Sequence, residues 1–74
     1  MTFAVLAERL SVAPFVPVTI HLADGRFFHI DHPDFVALLR LDNALAVHFA
    51  PRRVAYVDVG SITTVETTEG NARA

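Results

Sequence analysis

Hydrophobic and polar positions change their period near residue 18, which predicts a short helix followed by a series of strands. Apolar residues recur at helical spacing between Phe3 and Leu10, and Thr2 can cap their first turn, so we predict a helix over about residues 2–10. From Val18 to Leu22 apolar and polar residues alternate, which is typical of a strand with one buried face. A helix this short is marginal alone and must pack against the strands.

The next segment predicts a β-hairpin. Asp24-Gly25 is a strong turn signal, and the following strand is predicted at Arg26–Asp31. A three-residue loop at residues 23–25, with its glycine in the left-handed conformation, places Phe28 and Ile30 on the apolar face of the first strand. A two-residue loop would place them on the polar face. Burial therefore favours the longer loop.

The middle of the chain allows two interpretations. We expect His32–Phe35 to form a tight turn or a single helical turn, with Asp31 as its cap. Val36–Leu41 is then predicted as a strand. A helix over residues 34–41 remains the alternative, because alanine, leucine and arginine favour helices.

A second hairpin is predicted from Val36–Leu41 and Ala44–Phe49, joined at Asp42-Asn43. A two-residue loop pairs Leu38 with Val47. Both faces of this hairpin are largely apolar, which is unusual for an antiparallel sheet with one face in water. We expect one face to fill the core and the other to contact the helix or a second copy of the chain.

Two more strands are predicted at Val54–Val59 and Ile62–Glu66, after a turn at Pro51–Arg53. The interruption at Gly60-Ser61 predicts a bulge or a 3₁₀ turn. Residues 67–74 form a polar tail that we expect to be frayed. One short helix followed by five or six short strands indicates a small, strongly bent barrel.

Composition limits the classes that remain. The 74 residues allow one domain, placed at residues 1–66, and the absence of cysteine excludes disulfides. No apolar run is long enough to span a membrane, and no secretory signal is evident, so we expect a cytoplasmic protein. The predicted core comprises Leu6, Phe15, Val18, Ile20, Leu22, Phe28, Ile30, Leu38, Val47, Phe49, Val57 and Ile62.

The apolar content is high for so small a domain. Apolar residues make up 53% of the chain and the mean hydropathy is +0.42. A domain of this size buries only about 60% of the surface that its unfolded chain exposes. We therefore expect a homo-oligomer in which copies cover one another's apolar surface.

Three segments carry a resemblance to a known family. Val16–Leu22 with Asp24-Gly25, Phe35–Leu39, and Ser61–Val65 resemble, in order, the elements of the Sm-like barrel, particularly its Hfq-type branch. The resemblance implies a mainly β fold, a small SH3-like or Sm-like bent barrel of five to six antiparallel strands with a short N-terminal α-helix. The stretch Val57–Gly60, which corresponds to the family's uridine-binding positions, carries no basic or imidazole side chain. The resemblance thus implies the fold and ring assembly more than RNA binding.

The resemblance also implies where copies would meet. Rings of this family close by antiparallel pairing of two edge strands, which correspond here to Val54–Val59 and Ile62–Glu66. Such pairing would remove open sheet edges. The interface residues implied are Val54, Tyr56, Val57, Val59, Ile62, Thr64 and Val65.

RNA is the main candidate ligand. All six basic residues are arginines, and arginine with an aromatic neighbour can hold a phosphate and a stacked base. The net charge of −2 and pI of about 6.0 oppose a broad basic footprint, and no DNA specificity is evident. The candidate RNA-binding residues are Arg26, Phe27, Arg52, Arg53 and Tyr56.

Metal binding is a remote alternative. The bulged hairpin places His21 and His29 on one outward face, with His32 nearby, and imidazoles are common ligands of transition metals. Their spacing matches no strong metal motif. We expect solvent-facing histidines and no cofactor.

Catalysis has little support. Ser11 and Ser61 lie outside any nucleophile-elbow setting, and most acidic residues lie at turns. We therefore predict a non-enzymatic oligomerising module that could hold RNA weakly as a ring. The alternative is a protein–protein interaction or structural module that binds no nucleic acid.

Overall fold

The computed structural model describes residues 1–67 and contains one helix and six strands. The elements are α1 (Phe3–Leu10), β1 (Val18–Leu22), β2 (Phe27–Ile30), β3 (Val36–Leu39), β4 (Ala44–Ala50), β5 (Arg53–Asp58) and β6 (Ile62–Thr67). All paired strands are antiparallel, in two sheets of order β2-β1-β6 and β3-β4-β5. The mainly β class with an N-terminal helix is confirmed, but the described strands form two sheets rather than one closed barrel. The alternative helix over residues 34–41 does not form.

The helix α1 begins where its cap predicts. The backbone N–H of Val5 donates a hydrogen bond to Thr2 Oγ1 at 3.3 Å, which satisfies one free donor of the first turn. Leu6 and Leu10 are buried in the core. The guanidinium of Arg40 lies 4.9 Å from the centre of the Phe3 ring, which links the helix to the β3–β4 turn.

The β1–β2 hairpin has the predicted register. Ile20 lies opposite Phe28, so the apolar residues of both strands share a face. Gly25 has a φ of +94°, and the N–H of Leu22 donates to the carbonyl of Arg26 at 2.8 Å across the three-residue loop. The three-residue loop with a left-handed glycine, predicted from burial of Phe28 and Ile30, is therefore present.

The turn after β2 is a 3₁₀ turn at Pro33–Phe35, and its cap differs from the prediction. The N–H of Asp34 donates to Nδ1 of His32 at 3.2 Å, so His32 caps the turn. The predicted cap, Asp31, instead lies 2.7 Å from Nε2 of His29. A neighbouring imidazole thus engages the carboxylate that could have capped the turn.

The β3–β4 register was predicted wrongly by two residues. Leu38 lies opposite Leu45 rather than Val47, because a 3₁₀ turn at Arg40–Asp42 shortens β3. Asn43 follows with a φ of 52°, and its N–H donates to a backbone carbonyl at 3.2 Å to close that turn. A two-residue shift preserves which side chains share a face.

The last two strands are separated by a 3₁₀ turn at Val59–Ser61, as the spacing predicts. Asp58 caps it, since the N–H of Gly60 donates to Asp58 Oδ1 at 3.3 Å. The strand β6 then pairs with β1 and includes Thr67, one residue beyond the predicted end. Residues 68–74, most of the predicted polar tail, lie outside the described residues.

One cluster of apolar side chains forms the core between the two sheets and the helix. Its buried members are Leu6, Leu10, Val18, Ile20, Leu22, Ile30, Leu45, Val47, Val57, Val59 and Ile62. Phe15 and Phe28 are partly buried against this cluster rather than enclosed in it.

Two predicted core residues are instead substantially exposed. Leu38 is 38% exposed and Phe49 is 44% exposed. Leu38 lies on the edge strand β3, whereas Leu45 opposite it lies on the central strand β4 and is buried. A bulge in β4 displaces Phe49 from the buried alternation of that strand. Leu10, Leu45 and Val59 are core residues that were not predicted from the sequence.

Among residues 1–67, no helix is both long enough and apolar enough to cross a lipid bilayer.

Candidate functional site

A groove of about 470 Å³ opens beside the ends of β2 and β4. Small-molecule sites in proteins typically enclose about 300–1,000 Å³ and combine apolar walls with a few polar groups. The lining residues are His29, Asp31, Phe35, His48, Phe49, Ala50 and Pro51. The size and the mixed lining make this groove the best candidate site in the described part of the chain.

A β-bulge builds one wall of the groove. His48 pairs with Val54 and Ala50 pairs with Arg53, which leaves Phe49 as an extra residue in β4. In a regular strand, successive side chains point to opposite faces. The bulge breaks that alternation, so three consecutive residues of β4 line the same groove.

Two phenylalanines supply the aromatic part of the lining. Phe35 and Phe49 are each 44% exposed. Contacts with other rings hold them: Phe49 lies 5.5 Å from Phe28, and Phe35 lies 5.8 Å from His32 and 6.5 Å from His48. These separations are typical of aromatic pairs. The groove therefore presents half-exposed rings that are fixed in place.

A hydrogen-bonded chain of three side chains runs along the polar side. Nε2 of His29 lies 2.7 Å from Asp31 Oδ1, and its Nδ1 lies 2.8 Å from Thr19 Oγ1. One neutral tautomer satisfies both contacts, with Nε2–H donating to the carboxylate and Nδ1 accepting from the hydroxyl. The chain orients His29 and gives the Asp31 carboxylate a donor.

Two arginines lie at the turn that borders the groove. The guanidinium of Arg53 lies 5.5 Å from the centre of the Phe49 ring. Arg52 occupies the turn itself with a φ of 62°. Neither arginine forms an ion pair with a described residue. They are two of the five candidate RNA-binding residues.

The other candidate RNA-binding residues lie elsewhere. Arg26 is held by Asp24, whose Oδ2 lies 2.8 Å from its Nε. Phe27 is exposed and lies 5.9 Å from the His21 ring. Tyr56 is exposed on β5, and within residues 1–67 no ion pair, hydrogen bond or ring contact joins these side chains to the two arginines of the β4–β5 turn.

Each candidate metal ligand faces a carboxylate of its own. The pairs are His21–Glu66 at 2.6 Å, His29–Asp31 at 2.7 Å and His32–Asp34 at 3.6 Å. Within residues 1–67, no three histidine, aspartate or glutamate side chains converge as a metal site would require. The structure thus separates His21, His29 and His32 rather than gathering them.

The residues implied for a subunit interface divide into two groups. Val57, Val59 and Ile62 are buried in the core of the single chain. Val54, Tyr56 and Thr64 are exposed, and Val65 is partly buried against the core. The exposed group lies along β5 and β6.

The groove was not predicted from the sequence. An outward position was predicted for His29, but Asp31, Phe35, His48 and Phe49 reach the same groove only through the bulge and a 3₁₀ turn. No family model, no curated protein and no solved structure matches this chain.

Proposed function

We propose that the protein is a non-enzymatic, self-associating module with an Sm-like barrel fold, in which β5 of one copy pairs with β6 of the next. The fold assignment is supported by the element order and by the 3₁₀ turn that precedes the last strand. It is further supported by the pairing of that strand with the first one. The main support for self-association is that two long edge strands have no partner strand among the described residues.

The strands β5 and β6 are the long edges of the two described sheets. Each has six residues and lies at the end of its described sheet. The stretches 54–57 and 62–65 contain no charge and no proline. An edge strand offers a row of unpaired N–H and C=O groups, which natural proteins usually block with charge, proline or a bulge. A bulge interrupts β6 at Thr63, since His21 pairs with Thr64 and Leu22 with Ile62, but the regular stretch of β6 from Thr64 and the strand β5 remain available to another strand.

The other two edges are short. The strands β2 and β3 have four residues each, and the turn between them contains Pro33. A short edge beside a proline is a poor template for pairing. The contrast points to β5 and β6 as the pairing edges.

The outer face of β5 adds apolar surface at the same edge. Val54 is 51% exposed and Tyr56 is 77% exposed, and Tyr56 lies opposite Ala46. The outer face of an antiparallel sheet is usually polar where it meets water. An apolar face beside an open edge is typical of a contact surface.

The two edges differ, so the pairing is head to tail. Repeated contacts between two unlike surfaces form a closed ring when the rotations between neighbouring copies add up to a full turn, and an open filament when they do not. The resemblance to Sm-like proteins favours the ring. The cytoplasmic location expected from the sequence remains a prediction.

Mass in solution tests the proposal. We expect the native chain to be multimeric by light scattering and Val54→Asp/Tyr56→Asp to be monomeric, because two aspartates place charge and low β propensity on the β5 edge. Both replaced side chains are more than half exposed, so the variant should remain folded. Leu41→Asp is the matched control, since Leu41 is fully exposed outside both edges. A monomeric native chain would contradict the proposal.

A mixing experiment tests the head-to-tail arrangement. Thr64→Asp blocks β6 by placing a second carboxylate two residues from Glu66 on the same strand. Each blocked variant should be monomeric alone, and an equimolar mixture should give a dimer through the one pair of intact edges. A β6 variant that assembles like the native chain would indicate pairing between two β5 strands instead.

RNA binding by the assembled protein is a second candidate function. It is favoured by Arg52 and Arg53, which lack ion-pair partners among the described residues, and by the position of the Arg53 guanidinium over the exposed Phe49 ring. A labelled oligo-uridine or oligo-adenine should be retained at low salt and released as salt rises. Arg52→Ala/Arg53→Ala should abolish retention. No retention at low salt would leave a module that binds only protein.

A further inference from the structure

The apolar side of the groove suits a flat ring. Phe35 and Phe49 line it with half of each side chain exposed, and their own ring contacts fix them. Aromatic rings prefer offset or edge-to-face contact with another aromatic ring, at centroid distances of about 4.5–7 Å. A planar aromatic ligand can therefore gain more here than an aliphatic one of equal size.

Arginine supplies positive charge beside the aromatic wall of the groove. Arg53 lies over Phe49, and Arg52 precedes it in the turn. Neither has a carboxylate partner among residues 1–67, whereas the one carboxylate of the lining, Asp31, already faces His29 at 2.7 Å. The Arg53 guanidinium at the Phe49 wall thus has no carboxylate partner among these residues, and the turn carries a second arginine, Arg52.

One further polar group is available. The His48 side chain is exposed and makes a ring contact with Phe35, but no described residue forms a hydrogen bond with it. An imidazole beside an aromatic wall can donate or accept one hydrogen bond from a ligand. It adds a polar contact on the β4 side of the groove.

We propose that this groove binds a small aromatic anion, a planar ring that bears a carboxylate or a phosphate. The ring contacts Phe35 and Phe49, and the acidic group pairs with Arg52 and Arg53. A neutral ring would leave both arginines without a partner, and an organic cation would be repelled by Arg53. The inference does not depend on self-association.

Heteronuclear NMR titration with matched ligands tests the proposal. Indole-3-acetate should shift the amide signals of the groove residues saturably. Indole-3-ethanol lacks the charge and cyclohexylacetate lacks the aromatic face, so each should bind about threefold to tenfold more weakly. Adenosine 5′-monophosphate, with adenosine as its control, distinguishes a phosphate from a carboxylate as the preferred acid.

Paired variants separate the groove from the rest of the surface. Phe49→Leu and Arg53→Gln should each lower the affinity for the tighter-binding of the two acids about threefold to tenfold. Phe27→Leu and Arg26→Gln remove the same chemistry outside the groove and should leave the affinity unchanged. The monomeric Thr64→Asp variant, whose replaced residue lies on β6 outside the groove lining, should still bind, so that failure of self-association and failure of this site give different results.

Three outcomes would overturn the inference. The first is the absence of saturable shifts with either acid at millimolar concentration. The second is equal binding of cyclohexylacetate and indole-3-acetate, which would exclude a role for the aromatic walls. The third is an equal loss of affinity in Phe27→Leu and Phe49→Leu, which would indicate contact with many exposed rings.

Discussion

Gly25 and Asp24 define the tip of the β1–β2 hairpin by two different properties. Gly25 adopts a φ of +94°, which side chains of L-residues disfavour. Asp24 accepts hydrogen bonds from the backbone N–H and the Nε of Arg26 at 3.0 and 2.8 Å. One residue supplies the backbone conformation, and the other holds the chain as it leaves the turn.

The conformational role of Gly25 predicts a stability loss without a steric clash. A Cβ built at Gly25 meets no atom within 4 Å, so Gly25→Ala changes only backbone preference. We expect a loss of about 1 kcal/mol in unfolding free energy, measured by urea denaturation. Gly60→Ala is the control, because that residue has no positive φ and its Cβ would make ordinary contacts. An equal loss in both variants would contradict the argument.

The Asp24 carboxylate predicts a pH dependence. The backbone N–H of Arg26 and then its guanidinium lower the pKa of Asp24 below its usual 3.8. The lowered pKa means that the stabilisation is complete above pH 3.8 and is lost as the pH falls through the folded-state value.

Urea denaturation from neutral pH to about pH 2 checks this dependence. Asp24→Asn should be less stable than the native chain at neutral pH, and the difference should shrink in acid. Asp42→Asn is the comparison, since Asp42 forms no side-chain hydrogen bond or ion pair with a described residue. A constant difference between Asp24→Asn and the native chain would refute the account.

At the scale of elements, α1 depends on its cap and on its contact with the core. Eight residues are too few for a helix to be stable alone, so packing of Leu6 and Leu10 supplies most of its stability. The cap at Thr2 adds one hydrogen bond at an exposed end. The helix is thus the element where a small local change should be measurable.

Thr2→Ala should reduce the free energy of unfolding by about 1 kcal/mol, because it leaves the N–H of Val5 without its side-chain acceptor. Thr2→Ser retains the hydroxyl and should be nearly neutral. Thermal or urea unfolding followed by circular dichroism measures both. A serine variant as unstable as the alanine variant would assign the effect to packing of the threonine methyl group.

The bulge in β4 shows how an element acquires its functional shape. The extra residue Phe49 moves from the predicted core to the wall of a groove. Nothing in the local sequence marks it, because Phe49 continues the apolar alternation of its strand. A bulge exists only relative to the partner strand, here β5. The local sequence of β4 does not determine the register of that pairing.

At the scale of the whole molecule, apolar residues exceed the available interior. Apolar residues make up 53% of the chain, yet Phe27, Leu41, Val54 and Tyr56 remain exposed. Two of these lie on the open edge of β5. The excess is therefore partly concentrated where another copy could cover it.

Self-association predicts that stability depends on concentration. A partner that binds only the folded chain stabilises it by mass action, so the Tm of the native protein should rise with chain concentration. The Tm of Val54→Asp/Tyr56→Asp should be independent of concentration. Calorimetry over a wide concentration range measures both. A native Tm that does not change would argue against coupling between folding and assembly.

The sequence by itself determined the elements whose constraints are local. A capped apolar repeat placed α1, and alternation with an obligatory left-handed glycine fixed the β1–β2 hairpin and its register. Spacing alone also predicted the irregular turn before β6. Neighbouring residues supply all the information in these cases.

The tertiary structure decided the register of β3 against β4, the bulge at Phe49 and the edges left open at β5 and β6. Each depends on which distant strand lies opposite, and a shift of two residues preserves the hydrophobic pattern. The pattern cannot distinguish such registers, whereas packing in three dimensions can. The groove and the proposed contact surface both arise from that choice.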